Sequence, residues 1–131
     1  MPNMADITVK KADNATNVVY SALTPSAGDK VAARWRSNAV SAIPAHRPVV
    51  EVVSRDNGSK DGRRIQMSVK YPIIQTVSGV ESVIAIVPFD CSALVPQNVD
   101  TAQVTEAIHQ AGNLLVSTLM RSVYVDGYAP T

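Results

Sequence analysis

The sequence predicts an α+β fold: an N-terminal β-hairpin and an antiparallel β-meander, followed by two C-terminal helices. Three observations carry this. Between residues 47 and 71 apolar and polar side chains alternate with a period of two, which puts one set on each face of a sheet. Clusters of Asn, Asp and Gly separate the alternating runs, as turns require. After Pro96 the period changes, and Val104, Ala107, Ile108, Ala111 and Leu115 recur at spacings of three and four, as along one side of a helix.

Met1–Asp6 reads as a frayed end. Ile7–Lys11 and Val18–Leu23 are β-prone runs joined by Ala12-Asp13-Asn14-Ala15, whose Asp-Asn pair suits a turn. Thr24–Asp29 is loop by composition. Lys30–Ser37 is compatible with helix or strand, and the alternation of Val31, Ala33 and Trp35 against Arg34 and Arg36 favours strand. Pro44 and Pro48 bracket a break around His46-Arg47, with His46 expected in solvent. Val49–Arg55 is the next strand. One parity there carries Arg47, Val49, Glu51, Val53 and Arg55, and the other carries Pro48, Val50, Val52 and Ser54. The loop Asp56–Gly62 turns the chain, because Asn-Gly and Asp-Gly readily supply positive φ. Arg64–Tyr71 should then pair antiparallel with Val49–Arg55.

The stretch Arg63–Val95 organises the chain. Ile65, Met67, Val69 and Tyr71 make an apolar face, and Gln66, Ser68 and Lys70 a polar, positive one. Pro72 has no N–H to give a ladder, so regular pairing should end near it. After the loop Gln75-Thr76-Val77-Ser78-Gly79, Val80–Val87 is apolar on both parities, as in a strand buried on two sides. Asp100 or Thr101 can cap the first helix, Gly112-Asn113 is expected to break or kink it, and a second helix spans about Leu114–Val123. The chain reads as one domain: hairpin over 1–24, sheet over 30–96, helices over 100–124.

Composition sets further bounds. With 131 residues and 46% hydrophobic residues, the chain can build a core. It has no apolar run of about 18 residues and no basic-then-apolar leader, so neither a membrane span nor secretion is expected, and a cytoplasmic setting is. Cys91 is the only cysteine, which excludes an intrachain disulfide and a multi-cysteine metal site. In its apolar context it reads as a small core residue. His109 belongs on a helix surface. No glycine loop cradles phosphate, and no cofactor, metal, catalytic residue or small-molecule substrate is indicated. Net charge is +1, yet residues 30–70 hold nine basic and three acidic side chains, net +6. Such a block can form a patch for phosphates.

A sheet of five to seven strands is roughly 25–35 Å wide, whereas a helix of about 12 residues is only ~18 Å long. Two such helices roof that apolar face poorly, and soluble monomers rarely leave so large an area bare. An obligate, interlocked homodimer follows, with two-fold symmetry. The stripe Val104, Ile108, Ala111 and Leu115 is its expected helical interface.

Val69-Lys70-Tyr71-Pro72, running on to Gln75-Thr76-Val77-Ser78-Gly79-Val80-Glu81, resembles levivirus coat proteins in its proline at the strand end and its TV-x-GVE loop. The order of elements, from hairpin through meander to two helices, is similar over most of the chain. The resemblance implies a dimer with one continuous sheet, each chain's helices packed over its partner, and dimers tiling an icosahedral virion shell with the sheet facing the genome. It implies that Gln75, Thr76, Val77, Ser78 and Gly79 make contacts between dimers around the symmetry axes. It also implies that the bare sheet face binds a stem-loop of the viral single-stranded RNA, both for packaging in the bacterial host cytoplasm and to repress replicase translation. On that face Lys70 would meet phosphates, while Gln66 and Ser68 would bond a base or sugar. Arg47, Glu51 and Arg55 share it, and Arg63 and Arg64 enter from the hairpin. Phe89 and Asp90 lie near where the family places a base-stacking aromatic and its polar partner. Where relatives carry small hydroxyl residues lining adenine pockets, this chain has Val50, Val52 and Val53. The competing expectation is a free-standing single-stranded nucleic-acid-binding β module. That class uses several exposed aromatics for stacking, and this chain has one Phe and four Tyr.

Overall fold

The structure is a computed structural model and describes residues 2–59 and 61–131; Met1 and Lys60, assigned above to the N-terminal end and to the Asp56–Gly62 loop, lie outside the described residues. Strands β1 (Ile7–Lys10), β2 (Asn17–Thr24), β3 (Ala33–Ser37), β4 (Val49–Asp56), β5 (Gly62–Val77) and β6 (Val80–Pro96) lie in one sheet in chain order. Helices α1 (Thr101–Leu115) and α2 (Thr118–Asp126) follow. Within the expected single domain the contacts form two units, one ending at Leu94 and the other spanning Val95–Thr131.

The alternation between β4 and β5 becomes a register in which Val49 faces Lys70, Glu51 faces Ser68, Val53 faces Gln66 and Arg55 faces Arg64. Directly opposed residues share a face. The β1–β2 connection is held by Asp13, whose carboxylate accepts the backbone N–H groups of Ala15 and Thr16, both at 2.9 Å, and the Thr16 hydroxyl at 2.7 Å. The Thr16 hydroxyl, followed by those two N–H groups, lowers the Asp13 pKa to about 2. Residues 5 and 6 are not frayed: Trp35 Nε1 donates to the Ala5 carbonyl at 2.8 Å, and Asp6 accepts the Ala22 N–H at 2.8 Å. Lys30–Ser37 resolves to a strand beginning at Ala33.

Four expectations change along β5 and β6. β5 does not stop at Pro72 but continues to Val77. Its pairing with β4 ends at Lys70, so the missing N–H of Pro72 leaves no gap in that ladder. Gln75–Val77 is therefore strand, and the loop shrinks to Ser78-Gly79 at φ 53° and 80°, the two-residue turn with positive φ at both positions that matches strand twist. Val80–Val87 is not buried on two sides within the chain: Val80, Ile84 and Ile86 are 68%, 59% and 55% exposed, on a strand that is also the last of the sheet. Cys91, on the same strand, is exposed rather than in a core.

In the helical unit, Asp100 caps α1 by accepting the Ala102 N–H at 3.1 Å. Gly112-Asn113 does not break the helix, which runs through both to Leu115. An interior glycine costs only about 1 kcal/mol. The break falls at Val116-Ser117, where the Ser117 hydroxyl accepts the Met120 N–H and starts α2. Gly127, at φ 79°, ends α2 in the left-handed conformation that favours glycine.

Across the apolar side, the register places Tyr20, Ser37, Pro48 and Tyr71 in one row. Ser37 and Pro48 are fully enclosed there. Burial, and then the neighbouring Tyr71, raises the Tyr20 phenol pKa. Yet no hydrophobic side chain among the described residues is buried.

Candidate nucleic-acid interface

Register separates the two faces residue by residue. Arg36 opposes Val49, which opposes Lys70; Arg34 opposes Glu51, which opposes Ser68. Val53 with Gln66, and Arg55 with Arg64, complete the same side. The other side carries Ala33, Trp35, Val50, Val52, Ile65, Met67 and Val69. Gln66, Ser68, Lys70, Glu51, Arg55 and Arg64 are thus brought together as expected.

Within this face the charges are unevenly balanced. Glu51 is neutralised by Arg34 at 3.1 Å. The Ser68 hydroxyl donates to Asp90 at 2.7 Å, which draws Asp90 to the same side. Arg55 and Arg64 stand directly opposite one another, both exposed. Among the described residues neither has an ion-pair partner. Like charges facing across a ladder are destabilising, and a phosphate between them reverses the sign.

Arg63 and Phe89 are on the opposite face, Phe89 because it adjoins Asp90 on β6, and Arg47 is turned back onto its own connection. Arg63 pairs with Asp56 across the strands, on the face opposite Arg64. Its guanidinium bonds Asp56 at 2.7 Å and also Asp29, whose pKa it lowers. Adjacent strand residues point to opposite faces, so two arginines in sequence cannot both line one. Arg47 precedes β4, and its guanidinium folds back onto the carbonyls of Ser41 and Ala42, at 2.8 and 3.1 Å, and the Asn38 side chain at 3.1 Å. Phe89 is half-buried on β6. Of the valines expected near the base pockets, only Val53 lies on the charged side; Val50 and Val52 are on the apolar one.

Arg34 and Arg36 were not among the expected contacts. The signal was present in their alternation with Ala33 and Trp35. His46 is not in solvent: its Nδ1 lies 2.7 Å from Glu81.

No protein-family model matches the sequence, and no curated protein does. Solved structures do match. The chain is similar to the virus-like particle protein of Beihai levi-like virus 21, with a TM-score of 0.83, 15% identity and 99% of both chains covered. It is similar to that of bacteriophage NT-214 at a TM-score of 0.81, 16% identity, and 99% and 100% coverage. The capsid protein of bacteriophage GA matches at a TM-score of 0.71 and 18% identity, covering 93% of this chain and 94% of that one. With its strands in chain order and two helices at the C-terminal end, this chain has the levivirus coat-protein fold.

Proposed function

We propose that this chain is the coat protein of a small single-stranded RNA bacteriophage. Two copies join into an interlocked dimer, dimers build an icosahedral shell in the bacterial cytoplasm, and the charged sheet face binds genomic RNA for packaging and for repression of replicase translation. The observation that carries this is a two-faced sheet in which neither side is complete. One side holds the unneutralised Arg55–Arg64 pair, and the other is apolar with no buried hydrophobic residue among those described.

Magnitude supports the dimer. The chain exposes 9601 Å² at 14.0 kDa, whereas a folded monomer of that mass exposes about 6,700 Å². An excess on the order of 3,000 Å² suits an obligate interface. A second copy covers it most simply, with Val104, Ile108, Ala111 and Leu115 contributing from α1. The β5–β6 tip, with Val77 57% and Val80 68% exposed, supports contact between dimers.

Electron microscopy of the purified protein tests this reading: closed particles are expected. Replacing Val77–Val80 with a two-residue turn, which spares Glu81, is expected to leave dimers and remove particles, and normal particles from that variant would refute the role of the tip. A dimer that never assembles yet still binds RNA would favour a free-standing nucleic-acid-binding module.

A further inference from the structure

Ser41, His46 and Glu81 come from segments far apart in sequence and meet at one carboxylate oxygen. The Ser41 hydroxyl donates to Glu81 Oε1, and His46 Nδ1 lies 2.7 Å from the same atom. The His46 and Glu81 side chains are only 16% and 23% exposed, so the contact is partly shielded from competing water. His46 ends a 3-10 turn, Pro44–His46, in the connection between β3 and β4, and Glu81 is the second residue of β6. The cluster therefore ties that connection to the β5–β6 hairpin close to its turn. The connection is itself braced. Arg47 bonds the Ser41 and Ala42 carbonyls and Asn38, and Arg36 shares the Asn38 oxygen at 3.2 Å. With both guanidiniums held by neutral acceptors, the Ser41 hydroxyl and His46 Nδ1 are the partners that the geometry offers to Glu81.

We propose that Ser41, His46 and Glu81 form an acid-released latch that fastens the β5–β6 hairpin to the β3–β4 connection. The ionised carboxylate accepts from both donors at one oxygen; a protonated carboxyl carries no charge to hold His46 and has less capacity to accept. The Ser41 hydroxyl, and then His46, hold the Glu81 pKa below its ordinary value. For a carboxylate with a depressed folded-state pKa, the stabilisation is present above the unfolded pKa and is lost as pH falls through the folded one. The latch is thus shut at neutral pH and opens in acid. Its consequence for particles rests on the coat-protein reading, while the latch itself does not.

Hydrogen exchange, corrected for intrinsic rates, tests it on the purified protein at neutral pH and at a pH well below the ordinary carboxylate value of about 4.3. In Glu81→Gln, which mimics the protonated state, residues 38–47 and 73–84 should lose protection together, by about tenfold, at neutral pH. β1 and β2 should be unchanged. The wild type should show the same paired loss only in acid, and Glu81→Gln should lose no more there. Ser41→Ala, which removes one donor, should fall between. Wild-type protection in Glu81→Gln, or an equal acid response in both proteins, would overturn the latch. If the wild type forms particles, Glu81→Gln particles should come apart more readily at neutral pH. Absence of wild-type particles would count against the coat-protein reading, and the exchange comparison would still decide the latch.

Discussion

Ile108→Asp is expected to abolish folding and dimerisation together. Ile108 lies in the stripe with Val104, Ala111 and Leu115 on α1, and it is 48% exposed in the single chain. If a second copy covers that stripe, the substitution forfeits about 1.5–3 kcal/mol of apolar burial. It also places an unpaired carboxylate where desolvation costs several kcal/mol. Two-fold symmetry applies both penalties twice, a loss comparable with the whole stability of a small domain, about 5–15 kcal/mol. Asn113→Asp is the control, on the far side of the helix at about 100° per residue, and should leave assembly intact. Circular dichroism with size-exclusion chromatography reads the outcome. A folded, monomeric Ile108→Asp protein would show that the subunit stands alone and that the interlocked dimer is wrong.

The double variant Arg55→Ala/Arg64→Ala is expected to separate RNA binding from stability, because the two respond in opposite directions. Removing two phosphate contacts at about 1 kcal/mol each weakens affinity roughly 30-fold. It also lowers the slope of log affinity against log salt by about 1.4, at ~0.7 per single-strand contact. Without RNA the same variant should melt no lower than the wild type, since a like-charge cross-strand pair has been removed. Lys70→Ala should give a smaller loss, with a slope change of about 0.7, and an intact dimer. Filter binding over a salt series, with thermal melts of RNA-free protein, measures both quantities. Unchanged slopes would place the RNA elsewhere, and a large fall in melting temperature would mean the arginines hold the sheet together.

How much of this was legible in the sequence differs from residue to residue. Gln66, Ser68 and Lys70 were correctly grouped because period-two alternation needs only neighbouring residues. Arg63 and Arg64 could not be sorted the same way. Which of them faces the charged side depends on where β4 sets the register, and only the Arg55–Arg64 and Asp56–Arg63 pairings decide it. Arg47 could not be placed by parity, which was extended past the start of the strand; its guanidinium folds back onto the 38–42 segment, where it shares the Asn38 oxygen with Arg36. His46 could not be matched to Glu81 from the sequence, since no local pattern links residues 35 positions apart.

Local chemistry by itself determined the element types and their order, the two-faced character of β4 and β5, and the helical stripe after Pro96. These depend on backbone preference and on the spacing of apolar side chains within one segment. The tertiary structure alone decided which arginines share a face, that β6 ends the sheet with its apolar residues exposed, and that Glu81 gathers Ser41 and His46. Each of those is a long-range pairing, set by register between strands and the free energy of burying or neutralising groups that meet only once the chain has folded.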